Sequence, residues 1–309
     1  YCFDKNYNLQ GLTSMRSILD NSEETLNIYV LHNEPETLIA KLSYIENHRK
    51  LNKIEILEFK KQDVDFPNLI DAHVSEATYF RLFIESFLPD EISNLVYVDP
   101  DVICVNNFNG FITDKITELS KSNYIVAAVT EHSITNEKEN ISSRLGMKNN
   151  KYFNAGVMII NFEKWKATNT SQNLIDKMES IYNNINFWDQ DVMNAYFDGE
   201  YLELSQKWNF IIPIDIDLYK NKRRTIKDED LLFMHYAGKF KPWNIRGLFH
   251  PAAEIYQKNF RLINKQKYHI SNNWKKTALF HLLKSFFSLK FLKLKHPISF
   301  ILISINYLI

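Results

Sequence analysis

A chain of 309 residues, 45% hydrophobic and 14% aromatic, carries enough apolar side chain to bury a sizeable core as one large or two modest domains. Its two cysteines, Cys2 and Cys104, exclude a disulfide framework, and no charged segment followed by an apolar run opens the chain, so the expected setting is a reducing cytoplasm. The formal net charge of zero conceals an asymmetry: 27 of the 37 basic residues but all 37 acidic ones precede Lys258, leaving a body at −10 and a 52-residue tail at +10.

In chain order, "YCFD" (1–4) reads as the second half of a strand and lacks an initiating Met, so a few residues are expected to precede it. Short β-branched runs then alternate with longer amphipathic stretches: "LNIYVL" (26–31), 35–50, "IEILEF" (54–59), 75–88, and the apolar run that begins at Leu95. Further strands are expected at 124–129, 155–160 and 231–236, and helical patterns at 161–183 and 189–197. That alternation predicts an α/β fold, one continuous domain to about residue 257, with parallel strands and packed helices. Only seven glycines occur, and none forms a G-x-G or P-loop pattern, which excludes the glycine-rich backbone cradles for phosphate. Any phosphate here must be held by metal and cationic side chains.

"LVYVDPDVICV" (95–105) interrupts a buried strand with two carboxylates, Asp99 and Asp101. The D-x-D pattern occurs five times, at Asp63/Asp65, Asp99/Asp101, Asp189/Asp191, Asp215/Asp217 and Asp228/Asp230, so context has to separate them. Alternate residues of a strand share a face about 7 Å apart and can reach one hard cation, whereas on a helix the same spacing splays them by about 200°. Asp63/Asp65 and Asp228/Asp230 fall in polar stretches and read as solvated loops. Asp189/Asp191 opens a helix and reads as N-terminal capping, and Asp215/Asp217 is a secondary candidate. Asp99/Asp101 ends an apolar run, where open α/β sheets place ligands; a cation site and a satisfied turn at Pro100 both remain open.

A second constellation, "HYAGKFKPW" (235–243), also follows an apolar strand. His235 is a possible metal ligand, Gly238 permits close backbone approach, and Lys241 supplies a point charge for phosphate.

With "FDKNY" (3–7), "HVSEATYFRL" (73–82), "LVYVDPDV" (95–102), "YFNAGVMIIN" (152–161), "WDQDVMNAYF" (188–197), "KWNF" (207–210) and "HYAGKFKPW" in that order, the chain resembles glycosyltransferase family 8 over residues 1 to about 251. These are retaining nucleotide-sugar transferases of the GT-A fold, among them bacterial lipopolysaccharide and lipooligosaccharide hexosyltransferases and, more distantly, glycogenin. The resemblance implies a Rossmann-like mixed, mainly parallel sheet flanked by helices, and transfer of galactose or glucose from a UDP-sugar to a saccharide acceptor such as a lipooligosaccharide or another cell-surface glycan. It implies Asp99, Asp101 and His235 as ligands of Mn²⁺, with Mg²⁺ as a possible substitute. Donor contacts are implied for Asp4 and Asn6 at uracil and ribose, for Arg81, for Asn154, Ala155, Asp189 and Gln190 around the sugar, and for Gly238 and Lys241 at the diphosphate. Asp189 and Gln190 are the expected catalytic pair for same-face attack, Asp189 positioning the sugar and Gln190 stabilising positive charge, and His73 and Glu131 fall where relatives touch acceptor or donor. Pro100 fills the variable centre of the D-x-D and removes one N–H.

The tail (258–309) mixes Lys with Phe, Leu and Trp and ends in 12 residues after Pro297, too short to span a bilayer. It reads as peripheral attachment to anionic lipid on the inner face of a bacterial plasma membrane, against the alternative of a helix drawn onto the acidic body. Nucleic acid is not an expected partner, because the basic residues form no recognisable binding motif. Two other functions stay open: extension of a glycan on a glycoprotein, and a catalytically silent carbohydrate- or nucleotide-binding protein.

Overall fold

A computed structural model of the chain describes residues 1–60, 64–67, 75–132, 141–212, 231–238, 241–271 and 275–308. His73, Asp63 and both residues of Asp215/Asp217 and Asp228/Asp230 lie outside these, so the expectations attached to them have no structural counterpart here.

Strand β1 (Leu26–His32) pairs in parallel with β2 (Leu51–Glu58). The first residues run beside β1: Cys2 bridges Leu31 in parallel, the Leu31 N–H donates to the Tyr1 carbonyl at 3.0 Å, and the Phe3 N–H donates to the Leu31 carbonyl at 3.2 Å. "YCFD" therefore behaves as strand, as its sequence suggests.

β3 (Asn94–Val98), β5 (Val126–Thr130), β6 (Phe153–Asn161) and β7 (Leu202–Leu204) form a sheet in the order β3-β6-β5-β7. A third sheet orders β4 (Val102–Cys104), β9 (Phe233–His235) and β8 (Phe210–Ile211) as β4-β9-β8. Pairing is mixed. It is parallel in β1–β2, β5–β7 and β8–β9, and antiparallel in β3–β6, β5–β6 and β4–β9, the pairs that frame the site. Every residue of β6 is buried, as expected of a central strand covered on both faces.

Helices pack around these sheets. α1 (Asn8–Asp20) contributes Leu12, Met15 and Leu19 to one apolar cluster, joined by Tyr256 and Phe260 of a later helix, Ala253–Ile263. A second cluster joins the sheet to the segment Glu76–Ser86, where Phe80 stacks on Phe59 with ring centroids 3.8 Å apart. That segment is 3₁₀ in winding. Ala77 and Tyr79 through Ile84 are all buried, so its apolar pattern has no period that separates 3₁₀ from α.

The stretch 161–183 divides into Phe162–Ala167 and Thr170–Ser180. The break falls at Asn169, whose φ of 49° lies in the left-handed region that asparagine tolerates better than most residues. The stretch 35–50 is helical only over Pro35–Ile39 and, as 3₁₀, Leu42–Tyr44.

Beyond the body, helices Lys275–Phe287 and Pro297–Leu308 rest on Ile245, Leu248, Tyr268 and Ile270 through the buried Ala278 and Phe300. Among the described residues, no helix is long and apolar enough to cross a membrane.

Candidate active site

The Asp-Pro-Asp sequence is the corner at which the chain leaves one sheet and enters another. Asp99 follows β3 and its N–H donates to the Gly156 carbonyl of β6 at 2.8 Å; the Val102 N–H then closes a turn onto the Asp99 carbonyl at 3.2 Å, and β4 begins. Proline suits the second position of such a turn because its φ is already set. The two carboxylates are thus brought together by a turn and not by the pleat of one strand, so the turn expected at Pro100 is present and does not separate Asp99 from Asp101. β4 pairs antiparallel with β9, with Val102 opposite His235, and this register carries the imidazole to the same corner.

One ligand atom each from Asp99, Asp101 and His235 lies within 4.8 Å of the others. Two carboxylates and an imidazole form a donor set suited to a borderline divalent ion such as Mn²⁺. Basic side chains of the protein stand against Asp101. Lys241 Nζ donates to Asp101 Oδ2 at 2.6 Å and to the Tyr236 carbonyl at 2.8 Å, and His235 Nε2 stands 3.3 Å from Asp101 Oδ1. Burial alone would raise the Asp101 carboxyl, but Lys241 and His235 outweigh it and hold it well below the ordinary carboxylate range. Burial likewise opposes the Lys241 charge, and Asp101 more than offsets that, leaving the ammonium raised.

Arg81 projects from the 3₁₀ segment between two acids. Its Nη2 donates to Asp99 Oδ1 at 2.8 Å, its Nη1 to the Ala155 carbonyl at 2.7 Å, and its Nε forms an ion pair with Asp189 Oδ2 at 2.9 Å that is out of line for a hydrogen bond. The guanidinium also lies over the Tyr97 ring, 4.3 Å from its centroid, while the Tyr97 hydroxyl donates to Asp99 Oδ1 at 2.8 Å. Thr78 donates to the other Asp189 oxygen. Desolvation still dominates at Asp189 and pushes its carboxyl up to about 6 despite Arg81 and Thr78.

Asp189 and Asp191 separate as helical spacing requires. Both belong to the helix Trp188–Phe197, but Asp191 turns to Tyr152, to Arg144 and to the Asn186 and Phe187 N–H groups at the helix start. Asp191 is thus the cap that the sequence suggests, and Asp189 faces the site.

Next to the metal-type cluster runs a set of side-chain amides. His235 Nδ1 lies 3.0 Å from Asn209 Oδ1, and Asn209 Nδ2 donates to Asn154 Oδ1 at 2.7 Å. Asn154 Nδ2 donates to Glu131 at 2.9 Å and Gln190 Nε2 to the same Glu131 oxygen at 3.1 Å. The Ala155 N–H donates to Gln190 Oε1 at 3.1 Å.

Asp4 caps the short turn Lys5–Tyr7 by accepting from the Asn6 N–H at 2.9 Å and from Asn6 Nδ2 at 3.3 Å. Gly238 has φ +83°, a conformation that disfavours any side chain, between β9 and Lys241. The sequence-predicted residues Arg81, Asp99, Asp101, Glu131, Asn154, Ala155, Asp189, Gln190, His235 and Lys241 therefore gather in one region, with Asn209 linking His235 to Asn154.

Four residues that sequence reasoning left without a role belong to the same assembly: Asn209, Gly156, Tyr97 and Thr78. Asn209 lies in the quoted "KWNF" and Gly156 in "NAGV", but nothing in either string says what they face. A Cβ on Gly156 would sit 2.3 Å from His235 Cε1, so only glycine leaves room for that ring.

The sequence model of Glycosyl transferase family 8 matches residues 1–246. The chain belongs to that family. Among its family relatives, the lipopolysaccharide 1,2-glucosyltransferase of Escherichia coli K12 is 29% identical over 269 residues, covering 83% of this chain and 75% of the relative. A putative glycosyltransferase of Haemophilus influenzae is 29% identical over 236 residues, covering 75% and 68%. The crystal structure of galactosyltransferase LgtC in complex with donor and acceptor sugar analogues has a TM-score of 0.67 at 20% identity, covering 89% of this chain and 98% of that one, and at this identity supports the fold. The family 8 chain thus has the mixed α/β architecture of a GT-A glycosyltransferase, with its D-x-D at a sheet-to-sheet corner.

Proposed function

We propose that this family 8 enzyme is a retaining, Mn²⁺-dependent transferase that moves galactose or glucose from a UDP-sugar to a saccharide acceptor of the lipopolysaccharide or lipooligosaccharide type. The observation that carries the reading is the convergence of Asp99, Asp101 and His235 within 4.8 Å, with Lys241 and Arg81 directly against the two carboxylates. The relatives named for lipopolysaccharide glucosyl and galactosyl transfer support the hexose and the acceptor class.

Asp99, Asp101 and His235 would hold the ion, and a bound divalent ion supplies Lewis-acid stabilisation of the departing diphosphate. Lys241 adds a fixed positive charge beside it. Asp4 and Asn6 meet the nucleoside, their orientation set by the hydrogen bonds between them. Gln190, pinned by the Ala155 N–H and Glu131, lines the sugar, and Asp189 holds Arg81 in place.

Retention follows from departure and attack on one face. The bond from the anomeric carbon to the diphosphate oxygen breaks with its electron pair going to UDP. An acceptor hydroxyl forms the new bond from the same side, and its proton passes to the leaving phosphate oxygen. The Asp189 carboxyl, committed to Arg81 and Thr78, serves position and not nucleophilic attack. Trapping a covalent sugar on Asp189 would overturn this route.

The tail supports attachment at the cytoplasmic face of the membrane. Residues 258–309 contain ten basic and no acidic residues. Phe280, Phe287, Leu292, Ile298 and Leu302 are exposed there, Phe287 at 82%. An apolar surface among lysines suits an anionic lipid interface.

Incubation with Mn²⁺ and a panel of UDP-sugars, with UDP release as the readout, tests the reading. UDP-galactose or UDP-glucose is expected to be hydrolysed slowly without acceptor. Release from no donor, with no Mn²⁺-dependent UDP binding, defeats it.

A further inference from the structure

A carboxamide presents nearly the same shape when its oxygen and nitrogen are exchanged, so the direction of an amide chain has to be fixed by a group that cannot reverse. The chain beside His235 contains one. The Gly156 backbone N–H can only donate, and it lies 3.0 Å from Asn154 Oδ1. Asn154 must therefore turn its oxygen inward and its NH₂ to the Glu131 carboxylate, which can only accept when ionised.

The same Asn154 oxygen lies 2.7 Å from Asn209, so Asn209 must present its NH₂ there and its oxygen to His235 Nδ1, 3.0 Å away. Asn209 is fully buried at 0% exposure and spans the gap between the two partners. An amide oxygen only accepts. Nδ1 must consequently carry a hydrogen, whether or not Nε2, 3.3 Å from Asp101 Oδ1, carries a second one toward that carboxylate in the metal-free protein.

We propose that Asn209 is the positioning residue that sets the tautomer and ring orientation of His235, with its polarity dictated through Asn154 by the Gly156 backbone N–H. Asn209 touches no substrate in this account and acts through the imidazole. Outer partners of this kind fix which nitrogen a metal-binding histidine offers. The same chain continues through Glu131, which also accepts from Gln190, so the imidazole and the sugar-facing amide share one scaffold. The part of the proposal that concerns metal affinity rests on the metal-site reading above, whereas the tautomer does not.

The test has two arms. In ¹⁵N-histidine-labelled full-length protein, free of metal, the His235 signal is assigned by its loss in His235→Gln, and one-bond coupling reports which nitrogen carries hydrogen. The proposal expects a protonated Nδ1, and a proton-free Nδ1 overturns it.

In the second arm, Mn²⁺ affinity is measured by electron paramagnetic resonance for wild type, Asn209→Leu and Asn209→Asp. Leucine removes the acceptor and should weaken Mn²⁺ by about 10- to 100-fold. Aspartate keeps an acceptor for Nδ1–H but turns an oxygen to the Asn154 oxygen in place of the NH₂, so it should lose less affinity than leucine does. Equal losses in both variants, or none in Asn209→Leu, contradict the proposal. A wild type that binds no Mn²⁺ defeats the metal reading, and the metal-free spectrum then decides the proposal alone.

Discussion

Lys241 Nζ lies 2.6 Å from Asp101 Oδ2, so the protein places a cation of its own on a carboxylate that the proposed metal also requires. Both partners are largely buried, with side-chain exposures of 11% and 10%. Lys241→Met removes the ammonium and leaves the carboxylate poorly compensated in the metal-free protein, at a cost of about 3 kcal/mol. Saturating Mn²⁺ should restore more stability to this variant than it adds to wild type, because the ion then meets an uncompensated acid. Thermal unfolding with and without metal checks this, and an equal gain in both proteins contradicts it.

Gly156→Ala tests the fit of His235 against β6. The new Cβ would fall 2.3 Å from Cε1 and 2.6 Å from Nδ1 of the imidazole, so the ring must move. Overpacking of this kind costs about 1–3 kcal/mol. A displaced ligand should lower Mn²⁺ affinity by roughly tenfold or more. Isothermal titration of a folded variant with unchanged affinity would show that the ring tolerates the methyl group.

The Asp189 carboxyl gives a pH dependence with a defined sign. Its folded value is about 6 against 3.8 for an ordinary aspartate, because burial disfavours the charged form. The associated stability is complete below about pH 4, where the group is protonated in both states, and is lost as pH rises through 6, since the unfolded chain ionises first. The loss amounts to roughly 3 kcal/mol. Urea unfolding of metal-free wild type, measured against Asp189→Asn, should therefore show the wild type losing ground between pH 4 and 6. A difference that stays flat across this window contradicts the account.

The exposed apolar residues of the tail should matter in proportion to the lipid charge. Full-length protein is expected to float with vesicles containing phosphatidylglycerol and to remain behind with purely zwitterionic ones, since each basic group adds about 1 kcal/mol near an anionic surface. The double variant Phe287→Asp/Ile298→Asp should lose flotation while keeping UDP release, because Phe287 and Ile298 are 82% and 75% exposed and outside the site. Flotation unchanged by the substitutions would point to another surface.

Much of the site was legible because its chemistry is carried by residue types that are costly in a core. Asp99, Asp101 and His235 stand at the ends of apolar runs, with Lys241 six residues beyond His235, and a buried charge next to such a run calls for a partner. The separation of Asp189 from Asp191 followed from helical geometry alone. The turn at Pro100 was visible as one of two alternatives, but not that it joins two sheets, because that depends on β4 pairing with a strand more than a hundred residues later.

Asn209 and Gly156 were not legible as site residues. An asparagine after a tryptophan and a glycine within a strand have many ordinary explanations, and their roles arise from which side chain they meet across β6 and β9. The winding of Glu76–Ser86 was equally hidden, since burial on all sides erases the apolar period.

The central claim is that Asp99, Asp101 and His235 bind one divalent ion through which the donor diphosphate is held. UDP binding to full-length wild type and Asp101→Ala, titrated calorimetrically with Mn²⁺ and again with EDTA, tests it most directly. The account predicts UDP binding by wild type only when Mn²⁺ is present, and none by a folded Asp101→Ala under either condition. UDP bound equally well in EDTA, or by Asp101→Ala in Mn²⁺, would contradict it.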